Sequence, residues 1–497
     1  LIVEREREIN NFIPQEYWNI SVNLKGRGAD KEGSFDARVS GAKRYSREEA
    51  AGIEMDLPSC DFSVTKVAHK SSKSRPPLPF TTSTLQQEAS RRLSGFSVAR
   101  TMRIAQQLYE GLAVGSAGET GLITYMRTDS TVMSATAVTE INDYIRNLYG
   151  EKYLGSGTRS RRKKGPVAAQ EAHEAVRPTS ILRTPDQIKQ YLSSDQLQLY
   201  TLIWNRTLAS RMSDAMNKVT TINILAQKGS ESGSAKYGFV CSGSEPEFDG
   251  YTIVYATGIK DRSNQMLDDD SEADENFVKL PLLHEGDELD LLKVRNDQKF
   301  TRPNPRYTQA TFVKTLEESG IGRPSTYASI MATLEGRNYC SLENGRYKAE
   351  PLGEAVVDQL NPFFPNIMDV QFTANMETNL DQIANGDREW VSVLKEFYDP
   401  YHEMFLEAEA SMPKVTVQKP TGESCPECER PLAEKVGRNE KFIACTGFPE
   451  CRYSKPFVVS TGVLCPRCSG DLVERRSRGR GRIFYGCSNY PNCDFSV

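Results

Sequence analysis

Gly121-Leu-Ile-Thr-Tyr125-Met-Arg127-Thr-Asp129-Ser130 joins a short apolar, strand-like run, Leu122 to Tyr125, to a polar loop. The turn Gly115-Ser-Ala-Gly-Glu-Thr-Gly121 precedes it, so Tyr125 is predicted where a strand ends and a loop begins, a common seat for functional side chains. Arg127 and Asp129 follow at alternate positions, and in extended backbone they share the face of Tyr125. A tyrosine hydroxyl, with a free pKa of about 10, is a poor nucleophile unless a cation stabilises the charge that develops on it and on an attacked phosphate. Arg127 offers a fixed fork of donors for that purpose, and Asp129 can orient the fork. By itself, Tyr-x-Arg-x-Asp is a weak signal, and an ordinary half-buried tyrosine fits it better.

Helical patterns flank this run. Ser83 with Gln86 predicts a capping box, followed by Leu85, Ala89 and Leu93 at helical spacing. Ser97 predicts the cap of a second helix, with Val98, Met102, Ala105 and Leu108 on one face. A third helix carries Val138, Ile141, Ile145 and Leu148. The chain opens in a charged amphipathic helix, LIVEREREINNFI, apolar at Leu1, Ile2, Val3, Ile9 and Phe12. Neither a capping residue nor a targeting signal is visible there. This reads as a helix entered midway, so the sequence is expected to be an N-terminally truncated piece.

A chain of 497 residues can bury several cores, and about three to five domains are expected. No apolar run approaches the roughly 18 residues of a membrane span. The net charge of −4 hides an acidic run at Asp268-Asp-Asp-Ser-Glu-Ala-Asp-Glu275 and basic runs at Arg159–Lys164 and Arg475–Arg482. No apolar strand precedes the acidic run, so it reads as a flexible loop insertion. A Gly-Lys-Ser/Thr phosphate loop is missing from the sequence, which argues against nucleotide hydrolysis.

Eight of the eleven cysteines fall in two copies of one module. The first is Cys425-Pro-Glu-Cys428, sixteen residues, then Cys445 and Cys451; the second is Cys465-Pro-Arg-Cys468, eighteen residues, then Cys487 and Cys493. A Cys-x-x-Cys turn facing a second pair predicts a tetrahedral Zn site, and four sulfur ligands leave no open position, so both sites are expected to be structural. The isolated Cys60, Cys241 and Cys340 read as buried or half-buried thiols in a reducing compartment. Aromatics recur at matching places: Phe442 and Phe484, Phe448 and Tyr490, Tyr453 and Phe495. They serve either as the minimal core of each module or as stacking platforms for single-stranded bases. Five arginines between Arg475 and Arg482 favour a backbone-contacting loop, with a solvated loop as the alternative.

The stretch around Tyr125 resembles the active-site motif of type IA DNA topoisomerases. Three further stretches agree: Pro79-Phe-Thr-Thr-Ser-Thr-Leu-Gln-Gln-Glu88, Gln170-Glu-Ala-His173-Glu-Ala-Val-Arg177-Pro178 and Gly320-Ile-Gly-Arg323-Pro-Ser-Thr326-Tyr-Ala-Ser329. The paired cysteine modules match the family's zinc-ribbon tail, so the resemblance runs over most of the chain. It implies an α+β multidomain fold: a toroid of helical domains plus a strand-rich arch, followed by two four-cysteine zinc ribbons. The implied boundaries are 1–18 with 296–412 for a strand-holding domain and 19–81 with 213–295 for the arch. Residues 82–212 would form the tyrosine domain, 421–458 and 459–497 the ribbons.

The same resemblance implies ATP-independent relaxation of negatively supercoiled DNA through a 5′-phosphotyrosine link. Tyr125 would be the nucleophile, Arg127 the phosphate-stabilising cation and His173 an assistant at the scissile phosphate. Asp129, Arg323, Thr326 and Arg337 would contact DNA, with caps or salt bridges as the alternative for the last three. The family also places a Mg²⁺ site on an N-terminal Toprim domain, and nothing in this sequence resembles it. The Mg²⁺ carboxylates are therefore expected outside this chain, and the chain alone is expected to be weakly active or inactive. A monomer acting on single-stranded DNA in a nucleoid or organelle interior is implied. The competing reading is a module that grips single-stranded DNA without cutting it.

Overall fold

The computed structural model describes residues 1–27, 33–41, 43–115, 118–156, 174–229, 236–256, 280–413, 419–436, 441–457, 460–476 and 483–497. The chain divides into two compact units: Leu1–Ala349 with Pro365–Pro400, and Glu350–Phe364 with Tyr401–Val497. Among the described residues, no helix is long and apolar enough to cross a membrane.

Within the first unit, six antiparallel strands close into a barrel. Their order is Glu16–Gly26, Ser34–Val39, Lys236–Phe248, Ala215–Gln227, Asp61–Ser74 and Glu288–Phe300, the last returning to the first. Alternation drives this closure: Ile20, Val22 and Leu24 point inward from the first strand and meet Phe35, Phe62, Val64, Ile222, Ile224 and Phe239. The pairing runs from Asp61 opposite Gln227 to Ser74 opposite Ala215, well past the apolar core. In that extension small polar side chains replace the large apolar ones, as where Thr221 meets Ser242.

A helical layer follows, and it positions the candidate site. The helix Thr82–Arg92 is capped by Thr81, with Thr84 completing the box, which corrects the expected Ser83–Gln86 cap. Thr81 has the extended backbone a cap requires, whereas Ser83 already lies inside the helix and Gln86 is fully buried. Ser97 caps Val98–Glu110 and Ser134 caps Ala135–Tyr149. Leu85, Ala89, Ile104, Leu108, Ile141 and Ile145 share one core with Leu122, Ile123 and Met126. Leu148, expected on the buried face, is 60% exposed, because on the last helical turn it lines a surface depression with Leu182.

A separate core gathers Tyr307, Phe312, Val313, Leu316, Tyr327, Met331 and Tyr347, with Leu1 and Ile2 of the N-terminal helix Ile2–Asn10 packed on it. Glu6 of that helix is buried as well, which its amphipathic pattern did not foretell. The Arg306 guanidinium donates to it at 2.6 and 2.8 Å and holds its carboxyl below the usual carboxylate range.

In the second unit, Phe364 stacks near Tyr401 at 6.1 Å, and two small antiparallel sheets carry the cysteine modules. The first sheet has four strands between Lys419 and Pro456, the second three between Ser460 and Cys487. Helices beside a barrel and small ribbons make this an α+β multidomain fold.

Candidate active site and metal centres

Tyr125 does not end a strand. The run before it makes one isolated bridge, Ile123 to Pro178, because Leu122 N–H donates to the Leu108 carbonyl and Arg177 N–H to the Thr124 hydroxyl instead of extending a ladder. The expected parity nevertheless holds: Tyr125, Arg127 and Asp129 are exposed, while Met126, Thr128 and Ser130 between them are buried. Met126 is the anchor of this alternation, since it belongs to the helical core. The Tyr125 ring is 42% exposed and meets the Tyr109 ring edge-on, with centroids 5.3 Å apart.

Segments distant in sequence hold this loop in place. Thr124 N–H donates to the Arg177 carbonyl at 2.9 Å, and the Thr124 hydroxyl donates to the Ala175 carbonyl at 2.6 Å. On the other side, the Thr82 hydroxyl donates to the Met126 carbonyl at 2.6 Å and accepts from Thr128 N–H at 2.8 Å. His173 lies outside the described residues. The segment that follows it is firmly held: Arg177 pairs with Glu174 at 2.6 Å, and Glu174 in turn accepts from the backbone N–H of Ser134.

The stretch Gly320–Ser329 needs its glycines. Gly320 and Gly322 have φ of 72° and 77°, and a Cβ at Gly322 would lie 3.0 Å from the Thr326 hydroxyl. Arg323 is turned toward the helix Val370–Asn385, bonding Asp381 at 2.7 Å with Glu377 at 3.6 Å. Glu377 also accepts from Gly322 N–H. These two acids, one helical turn apart, were missed by sequence reasoning; their i, i+4 spacing was the available signal. Thr326 accepts from the backbone of Arg323 at 2.8 Å, so its hydroxyl caps the local turn. Arg337 is exposed at the far end of Tyr327–Gly336, roughly 15 Å away along a ten-residue helix.

Tyr327 ties the two regions together. Burial pushes its hydroxyl pKa up, the carboxylates of Glu317, Asp129 and Glu377 add to the rise, and Arg323 opposes it. The Asp129 carboxylate is thus among the charges that act on Tyr327, as is the Arg323 guanidinium. Of the expected DNA-contacting residues, the fold joins Arg323 and Thr326 by a hydrogen bond and leaves Arg337 at the far end of the helix that follows.

Each cysteine module closes on itself. All four sulfurs of Cys425, Cys428, Cys445 and Cys451 lie within 4.8 Å of one another, as do those of Cys465, Cys468, Cys487 and Cys493. Sulfur pairs stand at 3.6 and 3.3 Å in the first set and at 3.8 and 3.2 Å in the second. Four bonds of about 2.3 Å to a tetrahedral Zn²⁺ would space the sulfurs by roughly 3.8 Å, so both sets fit that ion. Backbone N–H groups of Gly447 and Asn489 point at Cys445 and Cys487, the usual support for thiolate ligands. Among the described residues these are the only such ligand groups; no acidic set suited to Mg²⁺ stands there, and the run 268–275 lies outside them.

The fold also sorts the recurring aromatics. Tyr453 and Phe495 pack on the cysteine cores and Phe442 and Phe484 are half-buried, whereas Phe448 and Tyr490 are 64% and 60% exposed. Residues 477–482 of the arginine-rich loop lie outside the described residues.

Comparison with known proteins agrees with these features. Residues 1–395 match the DNA topoisomerase family, and residues 422–459 and 462–497 match the topoisomerase DNA-binding C4 zinc finger. Full-length topoisomerase I from Thermotoga maritima is similar in structure, with a TM-score of 0.71 and 32% sequence identity. That similarity covers 97% of this chain and 71% of the Thermotoga chain. The family match over residues 1–395, two closed four-cysteine sites and a matching fold lead to one conclusion: the chain belongs to the type IA DNA topoisomerases.

Proposed function

We propose that the protein relaxes negatively supercoiled DNA without ATP, as a monomer that cuts one strand, passes another and reseals the break. In this reading the Tyr125 hydroxyl attacks a backbone phosphorus and loses its proton. The bond to the 3′ oxygen breaks, that oxygen leaves as a hydroxyl, and the 5′ phosphate stays on Tyr125. The phosphotyrosine diester keeps the energy of the broken bond, so the reverse attack reseals the strand. Arg127 stabilises charge on the phosphate, and His173 assists at the same place.

Arg323, Thr326 and Arg337 hold the strand within a domain formed by 1–18 and 296–412, and Asp129 contacts it from the tyrosine domain. Residues 19–81 with 213–295 form the gate, 82–212 the tyrosine domain, and 421–458 and 459–497 the ribbons. Mg²⁺ would neutralise charge at the scissile phosphate, and the described residues hold no carboxylate set for it. The site of action is a nucleoid or an organelle interior.

The observation that carries this reading is the exposed face shared by Tyr125, Arg127 and Asp129. A single-stranded oligonucleotide labelled at its 3′ end tests it. The label is expected to move onto the protein under denaturing conditions, and a plasmid should relax with Mg²⁺ but no ATP in the full protein. Tight strand binding with no transferred label would leave only a binding module.

The exposed Phe448 and Tyr490 support strand binding by the ribbons. Replacing either by Ala should weaken single-stranded DNA binding by roughly 1–3 kcal/mol, because a stacking surface is lost. Fluorescence anisotropy at fixed salt measures this, and unchanged affinity would reduce both rings to surface side chains.

A further inference from the structure

We propose that Thr82 and Thr124 are positioning residues, two hydroxyl pins that set the direction in which Tyr125 and Arg127 face the phosphate. The inference rests on Tyr125 being the nucleophile. An attacking side chain on a loop needs its backbone held from outside that loop, because no sheet ladder runs through it. Among the described residues, the last two-residue strand before it ends at Thr120, and Ile123 makes a lone bridge. The two threonines stand where a ladder would otherwise act.

Thr124, immediately before Tyr125, donates its hydroxyl proton to the Ala175 carbonyl at 2.6 Å and accepts from Arg177 N–H at 3.0 Å. Thr82, forty-four residues before Met126, donates to the Met126 carbonyl at 2.6 Å and accepts from Thr128 N–H at 2.8 Å. Each oxygen serves as donor and acceptor at once, which an aliphatic side chain cannot do. Between them they pin the backbone on both sides of Tyr125 and both neighbours of Arg127. Thr82 has no exposed surface, so water cannot replace its hydroxyl. Its own N–H, unused by the helix it begins, donates to the Thr128 carbonyl at 2.8 Å and adds a third tie. Branching at Cβ restricts both side chains to few rotamers, so the pins are stiff.

The test compares Thr82→Val and Thr124→Val, which keep shape and lose the hydroxyl, with the serine variants, which keep the hydroxyl. Single-turnover attachment of a 3′-labelled oligonucleotide is measured on the full protein, beside oligonucleotide Kd and melting temperature. Each valine variant should attach about 10²-fold more slowly, the cost of a displacement near 1 Å, with Kd changed by less than about threefold. Each serine variant should recover attachment to within a few-fold of the parent. If Thr82→Val fails to fold, Thr124→Val carries the same comparison at a half-buried position. Attachment at the parental rate in the valine variants overturns the proposal, and so does a loss of binding in step with attachment, the mark of a purely structural role. Tyr125→Phe runs in parallel: an adduct in that variant would instead overturn the nucleophile, whatever the threonines do.

Discussion

Tyr125→Phe is expected to abolish covalent attachment to DNA, a loss of at least about 10⁴-fold, while folding and strand binding persist. Only the attacking oxygen is removed. The ring keeps its edge-on contact with Tyr109, and its 42% exposure means little packing depends on the hydroxyl. Its melting temperature should therefore stay close to that of the parent, since changes at such surfaces are usually within about 0.5 kcal/mol. Arg127→Ala should slow attachment by about 10²- to 10³-fold, the usual cost of removing one preorganised donor from a developing charge. Denaturing gels with labelled oligonucleotide read both outcomes. A persistent adduct in the phenylalanine variant would place the nucleophile elsewhere.

Removing one ligand from either ribbon is expected to unfold that ribbon and spare the other. The first module buries little beyond its cysteines, Leu432, Ile443, Ala433 and Ala444, and the second little beyond its cysteines, Leu472 and Val473. Cores of that size do not hold a fold alone, whereas structural Zn²⁺ contributes about 10–16 kcal/mol to such modules. Cys445→Ala and Cys487→Ala should each lower bound zinc from two equivalents to one and expose the mutated ribbon to protease. Attachment through Tyr125 should continue in both, because the ligands belong to a different compact unit from the tyrosine. Retention of two zinc ions in either variant would contradict the four-sulfur assignment.

What could be read in advance was local. Duplicated cysteine spacing predicted two closed sulfur sets because a Cys-x-x-Cys turn places two thiolates together by itself. Ser97 was recognised as a cap for the same reason, since a cap depends on a few residues of its own chain. The alternation at Tyr125, Arg127 and Asp129 followed from backbone geometry and survived even though no strand forms there. The expected Ser83 cap failed because packing draws Ser83 and Gln86 into the buried helix and leaves the cap to Thr81.

The tertiary structure decided everything that joins distant segments. Closure of the barrel needs the first strand to pair with one that begins near residue 288, and no periodicity marks that partner. Burial of Glu6 is acceptable only because Arg306 arrives from 300 residues away, and Arg323 meets Asp381 from another helix. The same is true of Thr82 beside Met126 and of the Asp129 charge acting on Tyr327. Spacing along a chain fixes which side chains share a face over a few residues. Hydrogen bonds and Coulomb pairs act over only a few ångströms, so their partners are chosen when the cores pack.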